Sequence, residues 1–334
     1  MLKYLLVLCA LLACGFAFIY WYMLRMPGRS HAGPLPRLKE DEREMAATLR
    51  SHVQAIASLP HNTDHPEELE KCARTIEEIL AAIGYAPQAQ KFVAAGVEVR
   101  NIEIVIEPTV AGTVALQDVR ALVIGAHYDS AGDAPGANDN GSGVAALLEL
   151  ARLLKPYPMM KTRLRLVFFV NEELPHFKTD TMGSLVYARA LAATGEKVRA
   201  MLALETLGAY SDRPGSQKYP LPLLSFLLPN AAKFVAVVGT LGVRPFVAEV
   251  TRRLREGLAL PVIGGVAPGA IPGITWSDHW SFAKFGIPAA MITDTALFRY
   301  DHYHRRTDTA DKIDYERLAL VTGGLARVIR GMAP

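Results

Sequence analysis

Two periods of apolar spacing alternate along the chain. In residues 66–84, Ile76, Ile79, Leu80 and Ile83 fall on one helical face, and Gly84 offers a stop. Residues 40–58 carry similar spacing, and residues 143–154, "GVAALLELARLL", form a strongly amphipathic helix. Between the first two helices, "SLPHNTDHP" reads as a loop. Shorter apolar runs predict strands at 98–108, 119–129, 163–171, 199–208 and 289–295, while "YARALAAT" and residues 314–331 read as helices. Residues 209–275 are rich in Pro and Gly and read as irregular, with an apolar helix near 231–241 and a charged one near 246–257. Strands alternating with helices predict an α/β fold, three-layer α/β/α around a central mixed, mostly parallel sheet. In such sheets, sites gather at the carboxyl ends of strands.

The first residues break this pattern. Residues 4–24 carry no charge, about the ~20 residues that cross a bilayer as a helix. Tyr20, Trp21 and Tyr22 stand at the outer end, where aromatic belts lie. The run is longer than the ~7–15 apolar residues of a signal peptide. An uncleaved anchor is therefore the reading, over a cleaved signal or a lipoprotein leader. The expected organisation is an anchor over 1–25, a Pro/Gly-rich basic linker over 26–39 and one catalytic domain over 40–334. A short N-terminal tail with Lys3 alone favours a catalytic part outside the cytoplasm, on the periplasmic side of the inner membrane. With Cys9 and Cys14 in the anchor, Cys72 is the one remaining cysteine, which excludes a disulfide framework. The formal net charge is +3 with no dense Lys/Arg run, so a nucleic-acid partner is not expected.

The candidate chemistry sits at the strand ends. "VIGAHYDS" ends in His127 and Asp129, "FFVNEE" in Glu172 and Glu173, and "MLALET" in Glu205. Asp139 lies in the Gly-rich "NDNGSG" before a helix, and His302 and His304 lie late, in "YDHYHRRTDT". Each alone reads as a cap, a turn or a solvated end. Together they are nitrogen and oxygen donors without thiolate, which suits zinc or a similar divalent ion. There are more donors than one ion takes, so two ions sharing a carboxylate are expected. Adjacent Glu172 and Glu173 would repel at the end of a buried strand. A cation offsets that, with one carboxylate as ligand and the other as proton acceptor.

"GAHYDS…GANDNGSGVAALLELAR…FFVNEE…LET…SDHWSF…YHRRTDT" resembles the zinc aminopeptidase family with co-catalytic metals, which also holds glutamate carboxypeptidases and glutaminyl cyclases. The resemblance spans roughly 45–331 and implies a zinc-exopeptidase-like fold, peptide substrates and two zinc ions. It implies that His127 and Glu205 bind one ion, Glu173 and His304 the other, and that Asp139 bridges them. Glu172 becomes the general base toward a metal-activated water, and Asp129 orients the His127 ring. Asp278 of "SDHWSF" takes a supporting role, and His302 competes with His304 less well. Three features depart from the family pattern. Glu205 stands where many members have Asp. "LPHFKTDTMGS" is a longer insertion after the Glu pair. Arg305 and Arg306 replace the commoner residues after His304. His176 in that insertion and the two arginines are candidate substrate contacts, against a surface histidine and local salt bridges. A single-zinc glutaminyl cyclase and a catalytically silent ectodomain are the competing functions.

Overall fold

The computed structural model describes residues 2–108, 119–157 and 162–333; within them, some side chains of the N-terminal helix and those of residues 222 and 223 lie outside the description. Among the described residues, eight strands form one sheet: β1 (Gln88–Ala94), β2 (Val97–Ile106), β3 (Arg120–His127), β4 (Thr162–Phe169), β5 (Val198–Glu205), β6 (Val235–Thr240), β7 (Val262–Ala267) and β8 (Ala289–Thr293). Their order is β1-β2-β4-β3-β5-β8-β6-β7. Strands β4, β3, β5 and β8 run parallel at the centre. β1 and β2 pair antiparallel at one edge, and β6 pairs antiparallel with β8 while carrying β7 parallel at the other.

Period-two alternation divides the side chains of the central strands between two cores. Leu122, Ile124 and Ala126 of β3, with Leu164, Leu166 and Phe168 of β4, enter the larger core. Val123, Val167, Phe169, Met201 and Ala203 enter the smaller one on the opposite face. Helices α2 (Glu40–Ile56), α3 (Pro66–Ile83), α4 (Gly143–Leu154), α6 (Arg244–Gly257) and α8 (Tyr315–Met332) cover the first face; α5 (Gly183–Ala193) and α7 (His279–Ala283) cover the second. This is the expected three-layer mixed α/β fold. Gly84 ends α3 in the left-handed conformation, φ +87°, as its position predicts.

The segment read as irregular departs most. Residues 231–241, expected as an apolar helix, contain β6 instead. Its "VAVV" run is rich in β-branched residues and is buried between β8 and β7, so strand pairing prevails over a short apolar run of ambiguous period. β7 follows, hidden in the sequence by Gly264 and Gly265. A Cβ on Gly264 would stand 2.2 Å from Thr251 Oγ1, so glycine lets α6 lie close on this strand. β1, a partly exposed edge strand, was likewise not expected.

The N-terminal apolar run forms α1 (Leu2–Met23). Among the described residues, no helix is long and apolar enough to cross a membrane, so the membrane-crossing expectation gains no support from the fold. The end of α1 is fastened to the body. Arg244 Nε donates to the Tyr22 carbonyl at 2.7 Å, and its guanidinium lies over the Tyr22 and Trp21 rings. Arg255 Nη1 donates to the carbonyls of Met26 (2.7 Å), Pro27 and Gly28 (both 3.1 Å). The stretch expected as a linker is thus held against α6 and β7, with Met26 and Leu38 buried.

Candidate metal centre and active site

His127 is the last residue of β3, in register with Phe169 of β4. Glu205 is the last residue of the neighbouring β5. Past β4, Asn171 adopts φ +61° and turns the chain. That turn lets Glu172 and Glu173, which in a continued strand would point to opposite faces, both reach His127. The Asp129 carboxylate fixes their backbone, accepting the Glu172 and Glu173 N–H groups at 3.0 Å each. Asp139 lies in the turn Ala137–Ser142 before α4. The backbone N–H groups of Asn138 and Asp139 donate to the Asp308 carboxylate at 2.9 and 3.1 Å, and Tyr300 Oη donates to it at 2.7 Å. His304, at φ +56°, stacks on the Tyr303 ring with centroids 3.9 Å apart.

Asp139 stands between the two histidines. Its Oδ1 lies 3.4 Å from His127 Nε2, and its Oδ2 3.0 Å from His304 Nε2. Glu205 Oε2 is 3.4 Å from His127 Nε2, and Glu173 Oε1 is 3.1 Å from His304 Nε2. Two donor sets therefore form, His127–Asp139–Glu205 and Asp139–Glu173–His304, the donor atoms of each lying within 4.8 Å of one another. A third, His127–Glu172–Glu173, closes within the same distance. The first two use five residues and leave Glu172 over.

The donor chemistry fits a divalent cation. His127 Nδ1 faces the Asp129 backbone carbonyl at 3.1 Å, an acceptor, so that nitrogen carries the proton and Nε2 is turned to the carboxylates. The Asp129 carboxylate is farther from the ring, at 3.6 Å. The expected ring orientation is thus made by the main chain of Asp129, while its side chain positions the glutamate pair. His127 Nε2 is buried without a hydrogen-bond partner, a state that costs free energy unless a further group meets it.

The electrostatics agree. Burial, together with the neighbouring charge of Glu173, raises the Glu172 carboxyl well above its ordinary range. Burial and Asp139 raise Glu173 to about 7. Glu205 is raised by burial against the pull of His127. Burial works against protonation of His304, yet Asp139 and Glu173 hold it up to about 10. Asp139 is buried too, but the two imidazoles keep it below the usual carboxylate range. Like charges forced together in a dry site make a cation-binding environment.

The remaining expected residues divide. Asp278, at the start of α7, is buried with both oxygens unpartnered, and burial raises it to about 7. Its neighbour Ser277 donates to Glu205 Oε2 at 2.7 Å. His176 is buried rather than on the surface, with Thr63 Oγ1 at 3.0 Å and Thr181 Oγ1 at 2.8 Å from its two ring nitrogens. Arg306 pairs with Asp133, the local salt bridge weighed against substrate binding, and Arg305 is exposed. His302 Nδ1 contacts Thr307 Oγ1 at 2.9 Å and joins none of the donor sets. Sequence reasoning missed Asp308, Tyr303 and Ser277. Asp308 and Tyr303 flank the His304 motif, and Ser277 precedes Asp278, so proximity to those motifs was the available signal.

Residues 109–238 and 249–329 match the family model described as Peptidase family M28. The uncharacterized protein YfbL of Escherichia coli (strain K12) is 37% identical over 329 residues, 94% of this chain and 97% of YfbL. The probable lipoprotein aminopeptidase LpqL of Mycobacterium tuberculosis is 30% identical over 233 residues, 66% of this chain but 44% of LpqL. Among solved structures, an aminopeptidase from Aneurinibacillus sp. strain AM-1 superposes with TM-score 0.64 at 19% identity, covering 86% of this chain and 94% of that one. A Bacteroides thetaiotaomicron glutaminyl cyclase superposes with TM-score 0.61 at 17% identity, covering 89% and 99%. At these identities the two structures share the fold with this chain.

Proposed function

Because the chain belongs to Peptidase family M28 and is a peptide hydrolase, we propose that it is a zinc-dependent aminopeptidase working with two ions. The observation that carries this reading is the sharing of Asp139 between two donor sets. His127, Asp139 and Glu205 would hold one ion, and Asp139, Glu173 and His304 the other. Imidazole and carboxylate donors without thiolate suit zinc. Bound there, zinc supplies Lewis acidity and a water of lowered pKa. Glu172 stands outside both sets, its Oε2 4.0 Å from His127 Nε2. It takes the proton of the attacking water and returns it to the leaving amine. Asp129 supports the glutamate pair through their backbone N–H groups, and Asp278 takes its supporting role beside Ser277, which donates to Glu205 Oε2. A cyclase with a single ion would leave the second donor set without a use.

The expected location belongs to the same proposal: residues 4–24 anchor the chain and place the catalytic part on the periplasmic side. Its support is the uncharged run in the sequence. Resistance of the full chain to carbonate extraction, with protease sensitivity from the periplasmic side, would bear it out; release by carbonate would remove it.

The catalytic reading is tested by metal content of the full chain, measured beside a panel of aminoacyl anilides and N-terminal-glutaminyl peptides. Two zinc ions per chain with release of N-terminal residues is expected. One ion with cyclisation of glutamine would replace aminopeptidase by cyclase.

A further inference from the structure

A cavity of about 400 Å³ opens beside the acid cluster. Glu205 and Tyr303 stand on its wall, and Tyr303 is the ring stacked on His304. Away from them the lining is almost wholly apolar, with Leu224 and Trp276 among it. Among the described lining residues, Glu205 is the one charged side chain, so a charged substrate group would find no partner there. One wall comes from outside the expected catalytic domain: Ile19, Met23 and Leu24, at the end of α1. Arg244 holds that end in place through the Tyr22 carbonyl.

Size narrows the occupant. An enclosed cavity of about 150 Å³ already accommodates benzene. One leucine or phenylalanine side chain would leave much of 400 Å³ unfilled. At about 30 Å³, the share of one water molecule in the liquid, per chain carbon, there is space for eight carbons or more.

We propose that the last turn of the N-terminal helix is a wall of the substrate pocket, and that the preferred substrate carries an aliphatic chain of eight carbons or more on the acyl side of its scissile amide. The chain enters past Glu205 and Tyr303 and lies against Ile19, Met23 and Leu24. This rests on the aminopeptidase reading, in which the group projecting from the acyl side is the side chain of the terminal residue. The helix then sets specificity as well as continuing the fold.

The test uses the zinc-loaded full chain and p-nitroanilides of alanine, norleucine, 2-aminooctanoic acid and 2-aminodecanoic acid. The expected kcat/KM rises roughly fourfold per methylene. Met23→Gln and Ile19→Gln lower the ratio of 2-aminodecanoyl to alanyl kcat/KM at least tenfold, and Met23→Leu restores it. Binding of decan-1-ol to the Glu172→Gln chain, followed by tryptophan fluorescence, reads the pocket without turnover, and Met23→Gln weakens it. Decanol binding with no hydrolysis of any anilide would overturn the aminopeptidase reading and leave the pocket standing. A flat acyl series without decanol binding would overturn the pocket. A chain-length dependence untouched by both glutamine variants would remove the helix from it, and a dependence seen only in the leaving amine would overturn the acyl-side assignment.

Discussion

Glu172 and Glu173 show how two like charges persist at the end of a buried strand. Asp129 does not merely add a third carboxylate. It accepts both of their backbone N–H groups, so its own charge is met by main-chain donors while the pair is held in place. Burial still raises Glu172 well above its ordinary range, and cations in the two donor sets would draw it down toward the value a general base needs. Glu172→Gln keeps the shape and hydrogen-bonding reach of the side chain and removes the proton acceptor. The variant is expected to retain its zinc and to lose about 10²–10⁴-fold in kcat, measured on one sample by metal content and anilide turnover. Near-normal turnover would place the base elsewhere. Loss of zinc would make Glu172 a ligand, as the third donor set allows.

At the level of the element, the site depends on how strands stop. Asn171 follows the end of β4, Thr206 follows β5 and His304 lies in the late turn, and all three adopt positive φ: +61°, +46° and +56°. Asparagine tolerates the left-handed region, whereas a β-branched residue is strained there. Asn171→Val should therefore lower stability by about 1–3 kcal/mol and reduce turnover, because Glu172 would leave its place. Asn171→Gly should stay within about 1 kcal/mol of the parent, losing one contact with the Thr181 carbonyl. Urea midpoints check both, and an unchanged midpoint for the valine variant would show that the turn is not held left-handed. The same elements mark what the sequence made legible. His127, Glu172, Glu173 and Glu205 were visible because each interrupts an apolar strand with a charge that burial would penalise. Asp308 was not, since an Asp between threonines reads as an ordinary turn, and its work is done on the backbone of Asn138 and Asp139, 169 and more positions away. β6 and β7 escaped for a different reason. A short apolar run has no period of its own, and the glycines that let α6 approach β7 resemble loop residues.

Across the whole molecule, gathering so many carboxylates links stability to protons. In the metal-free chain Glu173 and Asp278 are raised to about 7 and Asp308 to about 6, in each case by burial first. Their ordinary values are 4.5 for Glu173 and 3.8 for the two aspartates. Between those limits the folded chain holds more protons than the unfolded one, so stability falls as pH rises. The contribution is full below the ordinary values and is lost through pH 6–7. His304, raised to about 10 from 6.5, acts in the same direction at higher pH: its protonated form stabilises below 6.5, and that is lost as pH approaches 10. Asp139, held low, has the opposite sign, but its effect is confined to pH below its ordinary 3.8. The chelator-treated protein should therefore melt at a Tm about 5 °C or more higher at pH 5 than at pH 8. Zinc should reverse the order, because it competes with protons for the same oxygens and nitrogens and binds more tightly as they ionise. Thermal scans at the two pH values, with and without zinc, decide it. A metal-free Tm that does not change with pH would mean that these carboxylates are not buried together in the folded chain. A fall that zinc fails to reverse would mean that they are buried together but do not form its site.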